Sequence, residues 1–161
     1  MKTLSTKFET LEPAKKKLVM LLVSELSLSF FNSHQECTEE QPQELVEAMK
    51  KYLLNSDTKN HKALCVANEA LQTLVAGDNK YTKRIRISKA LLAIANASTY
   101  IVNVSNNNID FNCNAISALE FAFKANPMFE GNILDYIENV TLVSKNTKAS
   151  RKSSFAFAPV S

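Results

Sequence analysis

Glycine is nearly missing from this chain of 161 residues, occurring only as Gly77 and Gly131. An average composition would supply roughly eleven. Tight sheet turns and phosphate-binding loops draw on glycine for backbone that other residues rarely adopt. Its scarcity argues against an all-β sandwich and against a doubly wound nucleotide-binding fold. Tryptophan is absent, and cysteine occurs three times, as Cys37, Cys65 and Cys113. An odd number at wide spacing does not make a disulfide framework, so reduced thiols are expected. Gly-x-Gly, Gly-Lys-Ser/Thr and Gly-x-Ser-x-Gly are all missing, and with them the phosphate-loop, dinucleotide and lipase-type signatures. No Glu-x-x-His supports a di-iron bundle.

Whole stretches also lack charge of one sign. Residues 36–49 carry Glu36, Glu39, Glu40, Glu44 and Glu47 and no base, while 80–89 carry Lys80, Lys83, Arg84, Arg86 and Lys89 and no acid. Residues 90–109 carry no charge, and after Glu138 every charge is basic. The net charge of +3 is too small to name a partner by itself.

What is present is helical periodicity. Hydrophobic residues make up 45% and charged residues 22%, which places the chain among globular proteins rather than disordered ones. Leu4, Phe8, Leu11, Leu18, Leu22, Leu26 and Phe30 recur mostly at three- or four-residue steps. Thr6 with Glu9 reads as a capping box, and Pro13 suits a first helical turn. A short first piece over 3–11 and a main helix over 13–31 follow. Thr38 with Gln41 makes a second box, opening a helix that contains Pro42 and ends near Leu54. Asp57 or Ser56 caps a third helix, which stops before Gly77 as a C′ residue. Asp78 caps a fourth, from Lys80 toward Val104. Asp110 or Asn112 opens a fifth through Lys124, Asn126-Pro127 stops it, and a sixth runs to about Ser144. Thr99–Val104 is β-branched and aromatic enough for a short hairpin with Ile109–Phe111, but continuity with Ile87–Ile94 favours helix.

The uncharged fourth helix is the expected centre. Ile87, Leu91, Ile94, Ile101 and Val104 line one side, and Ile85, Leu92, Ala95 and Val102 the next. Such girth must be covered on several sides. The predicted fold is all-α, a single bundle of five to six helices around a central apolar helix at about 80–104. The bundle domain is placed at 1–145 and a polar, basic tail at 146–161. Leu18–Phe31 is interrupted by Glu25 and serines, and Ala90–Ile109 carries five asparagines, so neither reads as a transmembrane segment.

Candidate chemistry is sparse. His61, Cys65 and Glu69 stand at i, i+4, i+8 on one helical stripe, where Cys and His could form an activated pair or metal ligands. The plainer reading is three flank residues beside Leu64, Ala67, Leu71 and Leu74. His34 and Cys37 make an isolated His-x-x-Cys without the second pair that structural zinc needs. No cofactor and no enzymatic activity are expected. The basic run Lys80, Lys83, Arg84, Arg86 and Lys89 opposes a helix N-terminal dipole. It is a candidate anion-binding site, for nucleic acid or an anionic surface, together with 145–152. The alternatives are a plain solvated helix start and pairing with the acidic 36–49 stretch, in the same fold or on a second copy of a homo-oligomer. In the tail, Phe155 and Phe157 alternate after Arg151 and Lys152, a candidate partner-binding segment.

No family motif is recognised. With sixteen Asn, sixteen Lys and fifteen Ser, the chain is similar in composition to the Gly-poor helical effectors that intracellular bacteria secrete. That likeness implies a bacterial, cytoplasmic protein, or one exported into a host cell through a C-terminal signal such as 146–161. The expected function is non-enzymatic: a helical protein–protein interaction or regulatory protein with a protein partner.

Overall fold

Proline and asparagine punctuate the fold. In the computed structural model, which describes residues 1–105 and 112–146, the helices are α1 (Lys2–Glu9), α2 (Pro13–Asn32), α3 (Gln41–Leu54), α4 (Thr58–Ala76), α5 (Ile85–Ser105), α6 (Asn112–Ala125) and α7 (Phe129–Asn146). The short first piece is a helix in its own right, which makes seven among the described residues rather than five to six. No strand occurs among them. Thr99–Val104 lies inside α5, so no hairpin forms there. Residues 106–111, including the other half of that hairpin, lie outside the described residues.

Helix ends follow the sequence unevenly. Pro13 and Pro42 sit in the first turns of α2 and α3, where a missing N–H costs nothing. Asp57 caps α4 by accepting the Asn60 N–H at 2.7 Å. Neither predicted capping box forms. Thr6 lies within α1 and its hydroxyl donates back to the Lys2 carbonyl, while the N-cap of α3 is Glu40 without a side-chain bond. Gly77 is the C-cap of α4 in extended backbone, φ −105°, so the left-handed conformation expected of a C′ glycine is not used.

The fourth predicted helix begins at Ile85 instead of Lys80. Asn79 diverts the chain: its Oδ1 accepts the Tyr81 N–H at 2.8 Å, and its own N–H donates to Thr82 Oγ1. A turn over 79–84 results, closed by the Arg84 N–H on the Tyr81 carbonyl. Local side-chain bonding of this kind offers the backbone an alternative to helix.

α2 and α3 run antiparallel, as do α5 and α6, and cross-contacts show it. Lys50 of α3 meets Glu25 of α2, and Gln43 meets Asn32. Gln72 of α4 bonds the Ala95 carbonyl and Thr99 of α5. Arg86 of α5 reaches Ala125 of α6, while Asn96 meets Asn114. α5 is central, packed against α6, α2, α4 and α3. Ile87, Leu91, Ile94 and Ile101 are buried as expected, but Ile85, the first residue of the helix, is 68% exposed. α2 lies beside α5 and is as enclosed: every residue from Val19 to Leu28 is buried. Of the described helices, only Ile85–Val104 is long and apolar enough to cross a bilayer, and it forms the middle of the packed core.

Candidate functional site

The turn over 79–84 and the loop over 33–40 meet at the end of the bundle where α2 stops and α5 starts. Tyr81 joins them. Its ring is 1% exposed and packs edge-on against Phe31 with centroids 5.4 Å apart. Its hydroxyl lies within hydrogen-bond reach of the Glu36 carbonyl, at 2.9 Å, and of the Glu39 carboxylate. Burial and the neighbouring carboxylate push the phenol well above its ordinary value, so it stays a donor. Burial alone would raise Glu39. The Tyr81 hydroxyl, a backbone amide and Lys80 outweigh it and hold the carboxyl below the usual range.

This junction explains a charge run that should oppose its helix. Lys80 Nζ is 3.5 Å from Glu39 and Arg84 Nη1 is 2.6 Å from Glu36. Both cations belong to the turn, not to α5. Arg86 Nε donates to the Ala125 carbonyl at 2.7 Å, where the C-terminus of α6 presents unpaired carbonyls and partial negative charge. Its guanidinium also lies over the Phe30 ring, 5.5 Å from the centroid. Lys89 and Lys124 both stand over the Phe121 ring, at 5.3 and 5.9 Å. The five predicted anion-binding residues therefore divide. Lys80 and Arg84 are neutralised by Glu39 and Glu36, whereas Lys83, Arg86 and Lys89 make no ion pair among the described residues.

The thiol and imidazole candidates are near each other but not aligned. Cys65 Sγ is 3.9 Å from both Nδ1 and Nε2 of His61. A sulfur equidistant from both nitrogens is not in line with either, as proton transfer would require. Glu69 is exposed and only its carbonyl is engaged, by Thr73. His34 Nδ1 faces the Phe30 carbonyl at 2.9 Å, and Cys37 joins His34 through a backbone bond. Burial pushes the Cys37 thiol up, which keeps it protonated. Among the described residues no three His, Cys, Asp or Glu side chains converge as a metal would need. Arg151, Lys152, Phe155 and Phe157 lie outside the described residues.

A groove that no sequence motif marks lies between α3 and α4. α4 buries only Leu64 and Leu71 fully, because one neighbour, α3, and part of α5 are all that cover it. The remainder forms a trough of about 530 Å³, floored by Ala48, Ala63, Val66, Ala67 and Ala70. Val66 is 68% exposed. Glu44 and Glu47 border it toward the 33–40 loop, and Lys51 and Lys62 toward the opposite end. The signal in the sequence was the shortage of large apolar residues on α4, where alanine holds positions 63, 67 and 70.

Compared with protein-family models, curated proteins and solved structures, the chain matches none.

Proposed function

We propose that the protein is a non-enzymatic interaction module that receives an amphipathic helix of a protein partner in the α3–α4 groove. One observation carries this reading: an open apolar trough whose two ends have opposite charge. A helix-in-groove partner needs a shallow floor of small side chains that lets backbones approach, and anchors at i, i+3, i+4 and i+7 to fill it. Ala63, Val66, Ala67 and Ala70 supply that floor at the matching spacing. The charged rims also set direction. Lys51 and Lys62 favour the C-terminal end of an incoming helix, where its dipole is negative, and Glu44 and Glu47 its N-terminal end, where it is positive. The setting proposed for this activity is a bacterial cytosol, or a host cell if the protein is exported.

The test is site-directed photo-crosslinking in native lysate, with the reactive residue at Ala63 or Ala70. Crosslinks should map to one helical segment of one partner and disappear with Val66→Asp. That variant should keep its helical circular dichroism and melting midpoint, since Val66 is exposed. Partner capture that survives both Val66→Asp and Ala70→Asp would place the interaction elsewhere and sink the reading.

A further inference from the structure

The edge formed by the start of α5 and the end of α6 combines cations that lack an ion pair with two highly exposed large apolar side chains. Lys83, Arg86, Lys89 and Lys124 make no ion pair among the described residues. The nearest acids in the chain do not cancel them. Glu36 and Glu39 are taken by Arg84 and Lys80, and Glu130 by the amine of Met1. Glu120 is the single carboxylate on α6, and it is exposed and not within ion-pair distance of Lys124. Three of the four cations are held in place by neutral groups: Arg86 by the Ala125 carbonyl and Phe30, Lys89 and Lys124 by Phe121. They are positioned without being neutralised.

Two large apolar residues flank the same end. Met128, in the turn that follows α6, is 77% exposed, and Ile85, next to Arg86, is 68% exposed. Arg86 ties the two segments together through its bond to Ala125. A polyanion such as nucleic acid gains from cations and from planar rings, and has no use for an aliphatic pair in water. A membrane surface gains from both: anionic headgroups attract the cations, and the headgroup boundary takes aliphatic side chains out of water.

We propose that this edge docks the protein on an anionic lipid surface, with Lys83, Arg86, Lys89 and Lys124 against the headgroups and Ile85 and Met128 dipping into the interface. The surface is separate from the α3–α4 groove, so a bound partner helix leaves it free.

Vesicle flotation of the full chain tests it. Vesicles of equal amounts of phosphatidylserine and phosphatidylcholine should carry the protein at low salt and release it at high salt, while phosphatidylcholine alone should not bind. Each basic residue near such a surface contributes about 1 kcal/mol, or roughly a fivefold affinity change. Replacing Lys83, Lys89 and Lys124 together by Ser should therefore weaken binding about a hundredfold, and replacing all three by Arg should preserve it. Ile85→Ser with Met128→Ser should weaken it by about tenfold, whereas Leu54→Ser, equally exposed at the other end of the bundle, should not. Failure to bind the mixed vesicles at low salt would overturn the proposal. So would vesicle binding that ignores the serine variants. Binding of an oligonucleotide, lost in the triple serine variant and indifferent to Ile85→Ser with Met128→Ser, would overturn it in favour of a nucleic-acid surface.

Discussion

Glu25 lies in the middle of the fully buried stretch of α2, with a side chain only 3% exposed. Lys50 Nζ approaches its Oε1 at 2.7 Å, close enough for an ion pair but off the line of a hydrogen bond. The carboxylate is thus compensated by charge alone, from a lysine that is itself 44% exposed. Removing that charge strands a buried anion. Lys50→Met should cost about 3 kcal/mol, and adding Glu25→Leu should recover all of it or more, because a packed apolar pair pays no desolvation. Urea titrations of the four proteins in the cycle measure this, and a single Lys50→Met effect near zero would show that water reaches Glu25. The polar junction carries a pH signature instead. Glu36, through a backbone amide and then Arg84, and Glu39, through the balance described above, are both held below the ordinary 4.5. A carboxyl depressed in the folded state contributes stability that is whole above its unfolded value and fades as pH falls through the folded one. The junction is therefore intact at neutral pH and loosens below about pH 5. Glu39→Gln should flatten the dependence of the denaturation midpoint on pH in that acidic range. An unchanged slope would mean that Glu39 does not couple to folding.

At the scale of elements, α5 should dominate stability. Leu91, 1% exposed and midway along it, should cost roughly 2–5 kcal/mol when changed to Ala, and a loss near zero would remove α5 from the centre of the fold. Most of this architecture was legible, because the punctuating residues act through local sterics. Pro13 and Pro42 open helices, Asp57 caps one, and Asn126-Pro127 ends one, each independently of tertiary contacts. Where sequence reading slipped, distant partners or competing side chains decided. The Asn79 turn displaced five residues of the fourth helix, and its target Thr82 carries no periodic signal. Thr6 and Glu9 match a capping pattern, but Leu4 and Phe8 are buried on the same helix, so α1 begins earlier. Ile85 fits the apolar stripe, yet nothing packs over its side chain at the start of α5, while Ile87 in the same turn is buried. The site was less legible than the fold. The acidic and basic runs stood out, and their pairing at Glu36–Arg84 and Glu39–Lys80 was one of the alternatives. The groove has only a faint signal, the alanines at 63, 67 and 70 of α4, because its other wall is a neighbour that only the folded chain supplies.

For the whole molecule, the two chain ends should behave oppositely. Among the described residues the buried core runs from Leu4 to Val140. At the first end, α1 lies along α7, parallel to it, with Lys7 on Glu138 at 2.9 Å and the Met1 amine on Glu130. Leu4 and Phe8 are buried beneath it, and Phe8 meets Tyr100 of α5 edge-on at 6.3 Å. The exposed ion pairs add little, so the two apolar side chains hold the strap down. Phe8→Ala alone should cost about 3–5 kcal/mol. At roughly 2–4 °C per kcal/mol for a chain of this size, the melting midpoint should fall by about 6–20 °C. Deleting residues 1–11 should lower it at least as far. Residues 147–161 lie outside the described residues, and their only large apolar side chains are Phe155, Phe157 and Val160; on that composition their deletion should shift the midpoint by no more than about 4 °C, the equivalent of 1 kcal/mol. Calorimetry of the three variants decides it. If the C-terminal deletion melts as early as Phe8→Ala, residues 147–161 are a second strap on the bundle, and Arg151, Lys152, Phe155 and Phe157 are then structural residues of this chain rather than anchors for a partner. If it melts with the full chain and loses partner capture while Val66→Asp retains it, docking belongs to the C-terminal segment and the α3–α4 groove is not the receiving site.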